Sequence, residues 1–159
     1  MKHFGLSYVT AIALSLLVGC SAGPATVRGH NLQRDDGFMT YTQMVAQYES
    51  SQADFPLPEG KTFPPFPSGY DKSGSYQALY GDAIAFGVYQ CSWQMEWLNW
   101  RSADAERAQA ALDILMAIPD NTVFQQTFNG RAQAVFRDAY DAASLGNPTK
   151  VQQLANASC

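Results

Sequence analysis

Three tryptophans and a glutamate are the residues whose types and spacing best suit ligand binding. Trp93, Trp97 and Trp100 recur at helical intervals, which places them on one face of a helix with Glu96 nearby. Indole rings combine a large apolar area with one N–H donor, so an exposed set would suit a glycan or another ligand with an apolar face. The same spacing is also expected of tryptophans packed in a protein core, and core packing is the interpretation we favour.

A hydrolase that uses Glu96 as a general acid or base is a further hypothesis. Glycoside hydrolysis needs two carboxyl groups close together, and Asp82 is the other acid in the same predicted helix. The two residues are 14 positions apart, which is about 21 Å along a helix axis. Glu96 would therefore need an acid from another element, and we expect it to be solvated or paired with an arginine.

Other catalytic chemistries lack their residues in this sequence. Both histidines precede residue 31, whereas Cys–His nucleophiles, Ser-His-Asp triads and Cys/His zinc sites need histidine close to their other members. The oxygens between Asp71 and Asp82 have part of the spacing of a calcium loop, but Tyr76 stands where that loop needs glycine. Phosphate-binding glycine motifs are absent from the sequence. We predict no catalytic residue, no metal and no cofactor.

The amino-terminal segment has the features of an export signal. Lys2 and His3 precede an uncharged, mostly apolar run from Phe4 to Val18, which suits a signal peptide and is short for a bilayer core of about 30 Å. The run ends in Leu17-Val18-Gly19-Cys20, which resembles the lipobox of bacterial lipoproteins. The resemblance implies cleavage before Cys20, a diacylglyceryl group on its thiol, and an anchor on the extracytoplasmic side of the cell membrane. An ordinary signal peptide that contains a cysteine is the alternative.

The charge balance limits the partners. Removal of residues 1–19 would take away Lys2, leaving nine basic side chains against fourteen acidic ones, a net charge of about −5. This excess of acid argues against nucleic acid and against electrostatic attraction to anionic lipid. We therefore expect membrane attachment through lipid alone, because two or three acyl chains anchor a protein stably.

The cysteines predict one disulfide bond. If Cys20 carries lipid, Cys91 and Cys159 remain in an oxidising compartment, where they would pair. A loop of that length stabilises a fold by roughly 4 kcal/mol on the chain-entropy model. Two free thiols are the alternative.

The sequence pattern around these residues predicts an all-α fold. We expect a signal at 1–19, a lipidated tether at 20–37 and one domain at 38–159, a bundle of about four to five helices around a central helix at 75–100. Ser73 or Ser75 would cap that helix. It should be covered on two sides, because two opposite apolar stripes run along it. One stripe contains Tyr80, Ile84, Gly87, Cys91, Met95 and Leu98, and the other contains Phe86, Tyr89, Trp93, Trp97 and Trp100.

A proline-rich segment should form an extended strap. Five prolines between residues 56 and 67 exclude a helix and a central strand. The aromatic residues in and beside the segment would dock the strap on the helices, and a recognition loop for a partner is the alternative. These anchors are Phe55, Phe63, Phe66 and Tyr70.

Local signals predict the other helices. The first, within 38–52, would begin at Thr40 or Thr42, and an alanine-rich helix from Ser102 to Pro119 would pack antiparallel on the tryptophan face. A further helical region would start at Asn121 or Thr122, break near 129–130 and end at Gly146. The last short helix would have Asn147 as cap and Pro148 at its first position. We predict no strand.

The mature part is similar to small exported actinobacterial proteins of uncharacterised role. The similar pieces are Leu57-Pro58-Glu59-Gly60, Tyr89–Trp93 followed by Glu96-Trp97-Leu98, Ala111–Leu115, and Cys159. The resemblance implies a helical domain with a paired cysteine and transfers no activity. The leading functional hypothesis is therefore a non-enzymatic lipoprotein that binds a protein partner, or serves a structural role, in the cell envelope. Glycan or cell-wall binding through the tryptophans is the alternative.

Overall fold

The computed structural model describes residues 37–159, so the predicted signal, Cys20 and His30 lie outside the described residues. The described part is mostly helical, which confirms the all-α prediction. The helices are α1 (Tyr41–Ser51), α2 (Tyr80–Trp100), α3 (Ala105–Ala117), α4 (Thr122–Thr127), α5 (Gly130–Ser144) and α6 (Thr149–Ser158). Single 3₁₀ turns at Gln52–Asp54 and Ile118–Asp120 follow α1 and α3, and two short strands are β1 (Phe38–Thr40) and β2 (Ser75–Gln77).

Helix α2 lies at the centre of the fold. Helices α1, α3, α4 and α6 all contact it, and α5 packs on α3 and α6. The alanine-rich face of α3 lies in the core, as predicted, because small side chains let two helices approach closely. The core side chains of α3 are Ala108, Ala111, Leu112 and Leu115.

The prediction of two opposite covered stripes on α2 is wrong in part. Met95 is 40% exposed and Tyr80 39% exposed, whereas Ile84 and Leu98 are half-buried against the core. Two glutamines, Gln90 and Gln94, are buried instead. Their amide groups form hydrogen bonds inside the fold, and this is why an apolar pattern alone misassigned the buried face.

The predicted start of the central helix at residue 75 is also wrong. Residues 75–77 form β2, which pairs antiparallel with β1 so that Met39 lies opposite Tyr76. Leu79 then adopts a left-handed conformation with φ of 73°, and α2 begins at Tyr80. Strands of three residues are too short to show an alternating pattern in a sequence.

The strap prediction is confirmed in its main feature. Phe55 is buried in the core, and Phe63 and Phe66 pack against it. The Tyr48 hydroxyl of α1 donates a hydrogen bond to the Pro64 carbonyl oxygen at 2.6 Å. The strap thus covers α1 and α2 with aromatic side chains and is fixed by a main-chain contact.

Most of the predicted helix ends are confirmed. Thr40 forms a capping box with Gln43, and Asn121 accepts hydrogen bonds from the first turn of α4. The predicted break near 129–130 is present, and Asn129 caps α5 there, a role that was not predicted. Gly146, with φ of 83°, follows α5 in a Schellman arrangement.

Two of the predicted starts differ from the structure. Ser102 does not cap α3. The chain first makes a turn at residues 101–103, so Asp104 is the cap and accepts a hydrogen bond from the Arg107 amide. At α6, Asn147 accepts a hydrogen bond from the Thr149 amide, but the helix begins at Thr149 rather than at Pro148.

Candidate functional site

The Cys91–Cys159 disulfide is present, as predicted. It joins the middle of α2 to the end of α6, and the two Cα atoms are 5.6 Å apart. This distance lies within the ordinary range for disulfides. The bond therefore ties a carboxy-terminal helix to the central helix across a sequence separation of 68 residues.

A buried polar cluster lies beside the disulfide. The side-chain amides of Gln90 and Gln94 donate hydrogen bonds to the Tyr140 hydroxyl at 2.8 and 3.0 Å. The Sγ atom of Cys159 is 3.8 Å from Gln94 Oε1, a contact rather than a hydrogen bond, because a disulfide sulfur carries no proton. Each of the three side chains thus has a hydrogen-bond partner inside the cluster, as is usual for buried polar groups.

Tyr140 is a poor acid in this environment. Burial raises its pKa to about 12, and the two glutamine donors only partly oppose that effect by stabilising the phenolate. The hydroxyl is therefore neutral over the physiological range. Its role in the structure is that of a hydrogen-bond acceptor that holds α5 against α2.

The three predicted ligand-binding tryptophans do not form an open platform. Trp97 is only 4% exposed and belongs to the core. Trp93 is half-buried, and its indole N–H donates a hydrogen bond to the Pro56 carbonyl oxygen of the strap at 2.9 Å. The guanidinium carbon of Arg107 lies 4.2 Å from the centroid of the Trp100 ring, a cation–π distance. These contacts match the core-packing interpretation.

Glu96 is buried and forms an ion pair with the Nε atom of Arg107. This confirms the expected pairing with an arginine. Because Arg107 also stacks on Trp100, it connects α3 to two side chains of α2.

The two acids proposed for hydrolysis have separate partners. Asp82 is buried in the first turn of α2, and its carboxylate accepts a hydrogen bond from Ser51 of α1. The described structure therefore does not pair Asp82 with Glu96. Each carboxylate instead joins α2 to a different neighbouring helix.

The amino-terminal end of α2 depends on a side chain that sequence reasoning missed. Gln47 Oε1 accepts hydrogen bonds from the Gly81 and Asp82 amides at 2.9 and 3.3 Å. Gly81 packs against α1, where an added Cβ would lie 2.8 Å from Gln47 Cβ and from the Tyr48 amide nitrogen. No local pattern marks this cap, since its donor and acceptor are 34 residues apart.

A tyrosine cluster, formed by Tyr70, Tyr76 and Tyr80, was also missed. Its three ring centroids are 5.9–6.0 Å apart, and Phe66 of the strap contacts Tyr70. Burial, followed by the neighbouring Tyr80 hydroxyl, raises the pKa of Tyr70. The cluster joins the strap, β2 and the start of α2.

The described residues contain neither a membrane-spanning helix nor a cluster of metal ligands. No helix within 37–159 has both the length and the hydropathy needed to cross a bilayer. In the same range, no group of three or more His, Cys, Asp or Glu side chains could hold a metal ion.

Comparison with known proteins adds no relative. The chain matches no protein-family model, no curated protein and no solved structure.

Proposed function

We propose that this protein is a bacterial lipoprotein anchored through Cys20 to the extracytoplasmic side of the cell membrane. Its domain would be a non-enzymatic component of the cell envelope that binds a protein partner. The observation that carries the proposal is the division of the three cysteines. Two form a disulfide inside the folded domain, and the third ends a lipobox sequence.

The disulfide supports an extracytoplasmic location because such bonds persist in oxidising compartments. Cytosolic thiols are usually kept reduced, and a buried cysteine pair there more often serves packing or chemistry. An exported domain with Cys91 and Cys159 paired is consistent with the signal sequence that precedes it.

A binding or structural role fits the contacts of the side chains that could otherwise act as acids or bases. Glu96 is held by Arg107, Asp82 accepts a hydrogen bond from Ser51, and Tyr140 accepts two hydrogen bonds in the core. Each of these groups stabilises a contact between helices. A general acid or base must instead reach the reacting atoms of a substrate.

The glycan-binding alternative has less support. A sugar-binding platform needs open indole faces, whereas Trp97 is buried and Trp100 carries Arg107 on its ring. Trp93 uses its only polar group on the strap. No observation favours this alternative over binding of a protein.

The anchor is tested by replacing Cys20 with alanine in the full chain and fractionating the cells. We expect the native protein in the membrane fraction with the added mass of its acyl chains, and the Cys20→Ala variant outside it without that mass. Ser21→Ala is the matched control and should remain in the membrane. A Cys20→Ala variant that still fractionates with membranes would overturn the proposal.

The protein partner is tested by cross-linking in intact cells that produce the native chain. One discrete adduct should form, and an excess of purified Cys20→Ala protein should compete it away. Adducts that resist this competition, or a complete lack of adducts across several cross-linker lengths, would contradict a specific protein partner.

A further inference from the structure

The outer face of the two-stranded ribbon is built from uncharged side chains. Register places Phe38 opposite Gln77 and Thr40 opposite Ser75, so these four residues point to one side of the ribbon. All four are exposed, and Phe38 is 59% exposed. We call this set the ribbon face. Met39 and Tyr76 point to the other side and are half-buried.

The ribbon face is uncharged, although charged residues lie near the ribbon: Asp71 and Lys72 are exposed, and the Asp71 carbonyl oxygen accepts a hydrogen bond from the Tyr76 hydroxyl. Residues 37–48 and 73–81 contain no Asp, Glu, Lys or Arg, although 15% of the chain is charged and an even distribution would place about three there. The exposed residues of these two segments are phenylalanine, threonine, serine, glutamine, alanine and tyrosine. The four residues of the ribbon face can therefore lose water without stripping the hydration shell of an ion.

The chain enters the domain at this ribbon. Gly37 accepts a hydrogen bond from the Ala78 amide and is followed directly by β1. Sixteen residues separate Cys20 from Gly37 in the sequence. A flexible chain of that length has a root-mean-square span of about 20–24 Å, so an anchor at Cys20 would keep the ribbon, where the chain enters the domain, near the bilayer.

We propose that the ribbon face rests in the headgroup region of the bilayer that holds the Cys20 lipid, with Phe38 inserted towards the acyl chains. This inference rests on the proposed lipid anchor. Insertion of the Phe38 ring among acyl chains would remove a large apolar area from water, while the threonine, serine and glutamine side chains beside it can keep hydrogen bonds at the level of the headgroups.

The orientation is tested with the lipidated full chain in phosphatidylcholine vesicles that contain a photoactivatable lipid. We expect the labelled peptides to be those of residues 37–48 and 73–81, and the peptides of α5 to be spared. Even labelling of the domain, or labelling concentrated on α5, would overturn the inference. The intact mass is measured first, because a chain without acyl groups contradicts the proposed anchor rather than the orientation.

Single substitutions distinguish insertion of Phe38 into the bilayer from accidental contact between the ribbon and lipid. Phe38→Ser should lower the labelling of these peptides by about threefold, because a large apolar side chain is lost from the interface. Gln77→Glu should also lower the labelling of these peptides relative to the native protein when the vesicles contain anionic lipid. Added salt should reverse this decrease, because it screens the repulsion between the new carboxylate and the lipid. Val135→Ser is the matched control, since Val135 is 51% exposed on α5. The inference would be overturned if neither Phe38→Ser nor Gln77→Glu changed the labelling. It would also be overturned if a protein were cross-linked to the ribbon face in cells.

Discussion

The Gln47 side-chain oxygen lies 2.9 Å from the Gly81 amide nitrogen and caps α2 from a neighbouring helix. A second hydrogen bond, from the Asp82 amide, satisfies another group of the first turn. A helix end leaves four amide groups without partners inside the helix, so a cap from α1 both stabilises α2 and fixes how the two helices meet.

Loss of this cap should destabilise the domain. We expect Gln47→Ala to lower the free energy of unfolding by about 1 kcal/mol, the usual effect of removing a helix cap. Urea unfolding followed by circular dichroism measures it. Gln153→Ala, at an exposed position of α6, is the control and should have little effect. Equal effects of the two variants would show that the cap contributes nothing.

Two glycines of α2 should respond in opposite directions to alanine. Gly81→Ala should lower the free energy of unfolding by about 2–3 kcal/mol, because the new methyl group would overlap α1. Gly87→Ala should raise it by about 0.5–1 kcal/mol, because Gly87 is exposed in a helix and has open space around its Cβ position. Thermal unfolding of both variants checks this, and a stabilised Gly81→Ala protein would contradict the close approach.

Alkaline pH should destabilise the protein through Tyr140. Its pKa is about 12 in the fold and close to 10 in an unfolded chain, so the unfolded state loses its proton first. Stability is therefore complete below about pH 10 and falls between pH 10 and 12, by about 3 kcal/mol from this group. Unfolding at a series of pH values, with tyrosinate absorbance recorded in parallel, measures the fall.

Tyr140→Phe is the variant that isolates this residue. Tyr140→Phe should remove much of the loss of stability between pH 10 and 12. The rest of that loss comes from other tyrosines with raised pKa values, among them Tyr89. At neutral pH the substitution should cost about 1–3 kcal/mol, because two buried amides lose their acceptor. An unchanged alkaline slope in this variant would contradict the prediction.

Removal of Arg107 should leave Glu96 buried without its partner. We expect Arg107→Met to lower the free energy of unfolding by about 2 kcal/mol, below the full value for a buried pair because Arg107 is partly exposed. Adding Glu96→Gln should restore part of the loss. Lys150→Met, which breaks the exposed pair with Asp138, is the control and should change stability by less than about 0.5 kcal/mol.

The disulfide should contribute measurably to stability. Replacing both Cys91 and Cys159 with alanine should lower the free energy of unfolding by roughly 4 kcal/mol, since the unfolded chain regains the freedom of a long loop. Reductant should destabilise the native protein but not the double variant. If a thiol-blocking reagent adds to both residues in the unreduced native protein, the bond is not formed in solution.

The sequence by itself determined the features that depend on nearby residues. The helical class, the caps at Thr40 and Asn121 and the break between α4 and α5 follow from local patterns, because a cap and its helix are a few residues apart. The proline-rich strap was equally predictable, since five prolines between residues 56 and 67 leave no stretch long enough for a helix. Cysteine counting predicted the Cys91–Cys159 bond before any coordinates.

Tertiary structure alone decided what α2 buries and where it begins. Gln90 and Gln94 are inside because Tyr140, about fifty positions along the chain, accepts their hydrogen bonds. Residues 75–77 are a strand because β1 pairs with them, and Tyr80 starts the helix where Gln47 can cap it. These outcomes depend on partners that are distant in sequence, and the burial of a polar side chain is favourable only when such a partner arrives.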